Sequence, residues 1–387
     1  DHQARLSGGA IYTEQTFSTF ELSDSRFEGN SLPTSGGSGG GALHVAGGSY
    51  ASLQRCEFSA NSSASGGGAI ANYSQRSMAV ADCLFSANTA LSGSGGAVGH
   101  FAVASGSPTV AELDRCVFDA NLSARGGAVA SERVEIRSCR FVSNSASLQG
   151  GAVHLVGNAG SQARIEDSEF GANASTATGA RGGAIYCAVT LDLDRTWLRA
   201  NATIDSGGGL FFSGGHLRMC SSLVSGNSAG SGGGGGVRVI NATSTTLTNC
   251  TLADNVAGFP YTGHELRSVA ISVRNSILDT GLSYGTSFSG GPITASHSLI
   301  EFGADTQDPL FRDRLNGDYR LELASPAIDQ GEASLVLCGG ADVAGQARFV
   351  DEPLVADLPG VSTPAVDLGA LESQGYQRGI VYCTAGT

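Results

Sequence analysis

Through residues 1–257 the chain runs in short stretches where apolar and polar positions alternate, each broken by Gly, Asn or Ser, with no helical 3.6-residue period. Alternation at period two over such short stretches predicts half-buried strands. Two motifs punctuate the pattern. Gly-Gly-Ala followed by Ile, Leu or Val starts at Gly8, Gly40, Gly67, Gly95, Gly126, Gly150 and Gly182, with degenerate copies at Gly208 and Gly235. Phe-x-x-Asn interleaves with it, the Phe giving way to Leu or Val in the last three copies. Its asparagines, Asn30, Asn61, Asn88, Asn121, Asn144, Asn173, Asn201, Asn227 and Asn255, recur about every 28 residues, a period that marks a solenoid.

Counting back from each Asn makes the repeat readable. Eight positions earlier an aliphatic stands in every copy, from Leu22 and Leu53 to Met219 and Leu247. Five positions earlier the residue is small: Ser25, Cys56, Cys83, Cys116, Cys139, Ser168, Thr196, Ser222, Cys250. Each repeat thus supplies about three short strands, one after Gly-Gly-Ala, one ending at the aliphatic and one ending at the Phe. One such unit buries nothing alone, whereas units stacked in register form continuous apolar columns. The expected fold is all-β, a right-handed parallel β-helix of about eleven coils over residues 1–303, rising ~4.8 Å per coil. The Asn column should lie inside and bond from coil to coil, each Asn supplying the left-handed backbone of a sharp turn.

The outward positions agree with this register. Six before each Asn stand Asp24, Arg55, Asp82, Arg115, Ser138, Asp167 and Arg195, and four before it Arg26/Glu57 and Arg140/Glu169 set opposite signs on adjacent coils. Asn275-Ser276-Ile277-Leu278 and His297-Ser298-Leu299-Ile300 read as two last, glycine-poor coils. A solenoid must protect its terminal edge, and residues 304–387 read as that cap. At the other end the first motif follows only seven residues, so either an upstream segment has been lost or, the preferred reading, another protein or a second copy of this chain covers the first coil.

Composition narrows the function. Glycine, 57 of 387 residues, is about twice ordinary usage but has no Gly-X-Y period, so collagen is excluded and glycine must serve tight turns. Asp and Glu outnumber cations 35 to 22, for a net charge of −13, and every cation is Arg. A basic face for nucleic acid is missing, and lysine chemistry is excluded outright. No apolar run is long enough to span a membrane as a helix.

The Gly-Gly-Ala-Ile and Phe-x-x-Asn pair resembles the repeats of chlamydial-type polymorphic outer-membrane proteins, surface adhesins with right-handed β-helical passenger domains. Asp308-Pro309-Leu310-Phe311, the segment from Asn316 to Leu321, Ser325 to Asp329 and Asp367 to Glu372 are similar to the choice-of-anchor Q domain, which caps bacterial β-helix proteins ahead of assorted anchors. The resemblance implies an extracellular or bacterial cell-surface location. It implies an anchor or barrel beyond Glu372, where this chain has only residues 373–387, so a released form or a removed anchor is expected. In that family a Cys often precedes the final Asp-Leu-Gly segment, where Val366 stands here, which implies that Cys383 pairs with Cys338 instead.

Candidate chemistry is sparse. The column Cys residues read as small buried hydrophobes, with Cys56–Cys83 or Cys116–Cys139 bridges open as alternatives. Seven histidines do not cluster and read as separate exposed residues; no metal site is assigned. Asp308, Asp313, Asp318 and Asp329 are a candidate Ca²⁺ set without the spacing of a known loop. Asn-x-Ser/Thr at Asn61, Asn121, Asn173 and Asn201 falls in the interior column, against glycosylation. The outward position after Gly-Gly-Ala-x reads Tyr12, His44, Ala71, Gly99, Ala130, His154, Tyr186, Phe211, Arg238 and holds no carboxylate pair for glycoside chemistry. Its Tyr12, His44, His154, Tyr186 and Phe211 form a candidate surface for stacking on sugar rings or a partner protein. The resulting reading is a non-catalytic surface or secreted protein of structural or adhesive type, with membership of a larger extracellular assembly left open. A polysaccharide lyase or hydrolase, or a glycan-binding module, is the alternative. No catalytic residue is assigned, and the balance falls against an enzyme without excluding one.

Overall fold

The structure is a computed structural model that describes residues 8–15, 19–33, 39–101, 109–158, 160–258, 263–280, 288–300, 307–336, 339–355 and 366–374. Three sheets of eleven parallel strands run the length of the solenoid, and a fourth of nine strands closes it. The first begins with Ile11–Gln15 and ends with Phe288–Gly290, the second runs from Thr19–Ser23 to Ile293–Ser296, and the third from Arg26–Glu28 to Leu299–Ile300. The chain is therefore a parallel β-helix, with nine of eleven coils contributing all four strands among the described residues. The sequence reading allowed three strands per coil. The fourth, such as Ser31–Leu32 or Ala174–Ser175, lies just after the Asn and is too short and too small-chained to alternate visibly.

Register is uniform. Phe27, Phe58, Phe85, Phe118, Phe141 and Phe170 pair in turn, and their rings stack at 4.5–5.0 Å between centroids. Leu53, Val80, Leu113, Ile136 and Ile165 form the matching column of the second sheet. The core is these columns.

The Asn side chains are buried. Asn61 shows the pattern: its Oδ1 accepts the backbone N–H and Nδ2 of Asn30 at 3.0 and 2.9 Å, and its Nδ2 donates to Asn88 Oδ1 and to the Phe27 carbonyl. Four bonds satisfy the amide completely, which is why a polar column survives in an apolar core. The left-handed residue is not the Asn but its predecessor: Ala60, Ala87, Ala120 and Ser143 have φ of 51–54°. The amide that follows ties down a backbone conformation that costs a non-glycine residue energy. A second left-handed corner falls at Asp24, Arg55, Asp82 and Arg115, φ 49–54°, just before the Cys column. These charged corners pair across coils, Arg55 with Asp24 at 2.6 Å and Arg115 with Asp82 at 2.7 Å.

Cys56, Cys83, Cys116, Cys139 and Cys250 are buried free thiols. They form a second ladder: the Cys56 N–H donates to Cys83 Sγ, the Cys116 N–H to Cys139 Sγ, and the Cys139 N–H to Ser168 Oγ. Bridges within this column, one of the alternatives above, do not form. Cys220 is disulfide-bonded. Because the other described cysteines are free, its partner lies outside the described residues, as do Cys338 and Cys383. The Cys338–Cys383 pairing that the resemblance implied lies outside the described residues.

The described part of the C-terminal segment docks on the third sheet. One outward column of the third sheet reads Arg26, Glu57, Leu84, Val117, Arg140, Glu169, then Trp197, Leu223, Thr251, Ile277, Leu299. From Trp197 onward it turns apolar, and Leu223 and Ile277 bury against Phe311, Tyr319, Leu321, Ile328, Val343, Leu368 and Leu371. Trp197 Nε1 donates to the Val343 carbonyl at 3.1 Å, Asn275 exchanges two bonds with the Glu332 backbone, and Arg314 pairs with Asp254 and Asp279. Inside the segment, fully buried Arg348 donates to the Gly369 and Ala370 carbonyls and pairs with Glu372. The described part of the segment thus packs on the flank of the last coils. Phe288, Ile293 and Ile300 of the last coil stay only partly buried, as do Ile11, Phe20, Leu22 and Phe27 of the first. The expectation placed on residues 1–7 lies outside the described residues.

Candidate functional site

The outward face of the first sheet carries the side chains that ion pairs and docking leave over. Its column begins with Tyr12, exposed, then His44, which is buried. The next two members, Ala71 and Gly99, are small; the ring of Phe101 folds back over Gly99, and the ring of Tyr73 stacks between His44 and Phe101. A Cβ on Gly99 would stand 2.5 Å from the Phe101 ring. The outcome is a continuous stack, Tyr12–His44–Tyr73–Phe101, with centroids 4.9–5.6 Å apart. Further along, His154, Tyr186 and Phe211 stack at 5.2 and 5.3 Å, nearly parallel, and Arg181 lies over Phe211 at 5.1 Å.

Within each stack the rings turn their faces to one another; Tyr12, at the end of its stack, is 48% exposed, whereas Phe211 is 2% exposed. The sequence placed all five residues in one column and could not show that they form two separate stacks. The histidine expectation also changes. His44, His100 and His264 are buried, His100 against Asn72 Nδ2 at 2.9 Å, while His264 Nδ1 accepts the Ala257 N–H. Burial pushes the pKa of His100 and of His154 down to about 4, so both are neutral at physiological pH.

Beyond Phe211 the column changes character. Arg238 and Arg267 follow in register on the next two coils. With Arg181, Asp205 and Ser206 they line a groove of about 320 Å³ floored by Phe211. Three guanidinium groups face one carboxylate here, in a protein whose net charge is −13. Arg181 Nε lies 3.5 Å from Asp205 Oδ2, and Arg267 Nη1 donates to the Gly232 carbonyl at 2.9 Å. Burial first, then repulsion from Arg267 and Arg181, lowers the Arg238 pKa to about 10, still charged at neutral pH. Forked, planar cations of this kind recognise oxyanions. Asp205 has no second carboxylate across the groove, so the acid–base pair of glycoside hydrolysis is not assembled there. No signal in the repeat itself singled out Arg181 or Arg267: the first stands just before Gly182 at a position that holds Gln149 and Ser206 on the adjacent coils, and the second follows the last recognisable Gly-Gly copy.

The candidate Ca²⁺ residues do not converge. Asp308 caps the Leu310 N–H, Asp313 caps a 3-10 turn, Asp318 pairs with Arg320 and Asp329 Oδ2 accepts the Glu352 N–H. No group of three or more His, Cys, Asp or Glu side chains suited to a metal occurs among the described residues. No helix among them is long and apolar enough to cross a membrane.

Residues 4–190 match the family model described as right handed beta helix region, which agrees with the coil geometry. No curated protein and no solved structure shows significant similarity to the chain.

Proposed function

We propose that this is a non-catalytic protein of the bacterial surface or extracellular space, of adhesive or structural type, that binds through the outward face of its first sheet. The observation that carries the reading is the chemistry of that face: an arginine-lined groove that can hold a ligand, beside Asp205 as its lone carboxylate. The repeats that resemble polymorphic outer-membrane adhesins, and the tail similar to the choice-of-anchor Q domain, support the location. So does the disulfide at Cys220, since such bonds persist in oxidising compartments. The half-buried apolar residues of the first coil make it the place for a contact with another protein or a second copy. Two measurements test the reading. Protease added to intact expressing cells should cleave the protein, and purified protein incubated with polysaccharides should release no new sugar ends. Depolymerisation would establish a lyase or hydrolase instead.

A further inference from the structure

We infer that the groove between Arg181, Arg238 and Arg267 receives the carboxylate of an acidic sugar, a uronate unit of an extracellular polysaccharide. The inference rests on the reading of this face as a binding surface and adds the ligand class.

Two of the three guanidinium groups have partners within the fold, through Asp205 and the Gly232 carbonyl. Arg238 makes no hydrogen bond or ion pair among the described residues, although it is half-buried between Phe211 and Arg267. Keeping a half-buried cation beside two others costs free energy unless an anion completes it. Adjacent coils set the Arg238 and Arg267 backbones ~4.8 Å apart, so one carboxylate can bridge both side chains. Space for it is kept by Gly232, where a Cβ would stand 2.7 Å from Asp205 Oδ1 and 2.6 Å from Ser206 Cβ.

The rest of the lining selects among anions. Asp205 repels a run of acidic side chains or a polyphosphate but accepts hydrogen bonds from hydroxyl groups, and Ser206 and Ser231 add hydroxyls of their own. A uronate carries one carboxylate among several hydroxyls on a single ring, so it meets both the cationic and the hydroxyl-binding sides. The groove volume, about 320 Å³, suits one or two such rings.

The test is calorimetric titration of the full chain with a short oligoglucuronate, its carboxyl-reduced neutral counterpart, inorganic sulfate and an oligoglutamate. Oligoglucuronate should bind, more weakly as salt rises, and the neutral counterpart should not. Arg238→Gln should weaken binding roughly tenfold or more without lowering the melting temperature, because Arg238 makes no hydrogen bond or ion pair among the described residues and its removal relieves the crowding of three cations. Arg238→Lys should recover only part, since it restores charge without the fork. Unchanged binding in Arg238→Gln, or no binding by the wild type, overturns the groove; sulfate or oligoglutamate binding as tightly as oligoglucuronate overturns the sugar. If oligoglucuronate fails while the protein still sits uncleaving on the cell surface, only this inference falls. If the protein binds and cleaves the oligosaccharide, the groove stands and the non-catalytic reading falls.

Discussion

At the scale of single residues, the Asn ladder shows how a polar group can be a core residue. Asn121 accepts two N–H bonds from Asn88 and donates to the Phe85 carbonyl and to Asn144 Oδ1. Asn121→Ala leaves those partners buried and unmade, and should cost ~1–3 kcal/mol in urea unfolding; a loss within error would mean water replaces the amide. Phe118→Ala, in the middle of the ring stack, should cost ~3–5 kcal/mol by cavity formation. The ladder ends on Glu265, fully buried, whose carboxylate accepts the Asn255 backbone and side-chain N–H groups. Burial raises its pKa well above 4.5, and burial likewise raises that of Asp367 to about 7. An acid whose folded pKa is raised keeps its proton after the unfolded chain has lost it. Unfolding then releases a proton, and stability falls as pH rises from the unfolded pKa to the folded one, by up to about 1.4 kcal/mol per pH unit and group. Melting temperatures should therefore drop between pH 5 and pH 8, and Glu265→Gln should flatten the slope. An identical slope in the variant would place its origin elsewhere.

At the scale of elements, the C-terminal segment is held by the apolar stretch of one outward column of the third sheet. The chain's single Trp, Trp197, lies at its docking surface, so tryptophan emission reports docking directly. Ile277→Asp puts a charge into that contact, which an unpaired buried carboxylate opposes strongly. Its expected result is a red-shifted emission and rapid proteolysis within residues 307–374, with the β-helix circular dichroism intact. Loss of the whole β signal would instead make the segment part of one cooperative unit with the coils. The signal for this docking was present in the sequence as the switch from Glu169 to Trp197, Leu223, Thr251 and Ile277. It reads as a surface column until something is known to cover it.

At the scale of the whole molecule, the two terminal coils carry half-exposed apolar interiors, a geometry that favours head-to-tail contact between copies or with another protein. Ile11→Asp should lower any self-association seen by sizing; a wild type that runs as a monomer at all concentrations sinks the self-contact. Peptide mapping without reductant should find Cys220 cross-linked. A Cys338–Cys383 peptide with Cys220 free would establish the pairing implied by the resemblance.

The coil, its columns and its register were legible from spacing alone. An inward residue of a solenoid meets its own counterpart on the next coil, so Asn30 to Asn255 and Phe27 to Phe170 encode their contacts by recurrence. The alternation of Asp24, Arg55 and Asp82 encodes the outer face in the same way. Tertiary structure alone decided the rest, because those contacts do not recur. Phe101 covers Gly99, and Tyr73 joins His44 to Phe101, through local geometry that spacing does not carry. Arg181, bridged to Gln149 and Ser206 just before a Gly-Gly-Ala motif, meets Arg238 and Arg267 in one groove from a different position of the coil. The segment around Arg348 meets Trp197 and Ile277 across long stretches of chain, where only the folded arrangement sets what is neighbour to what.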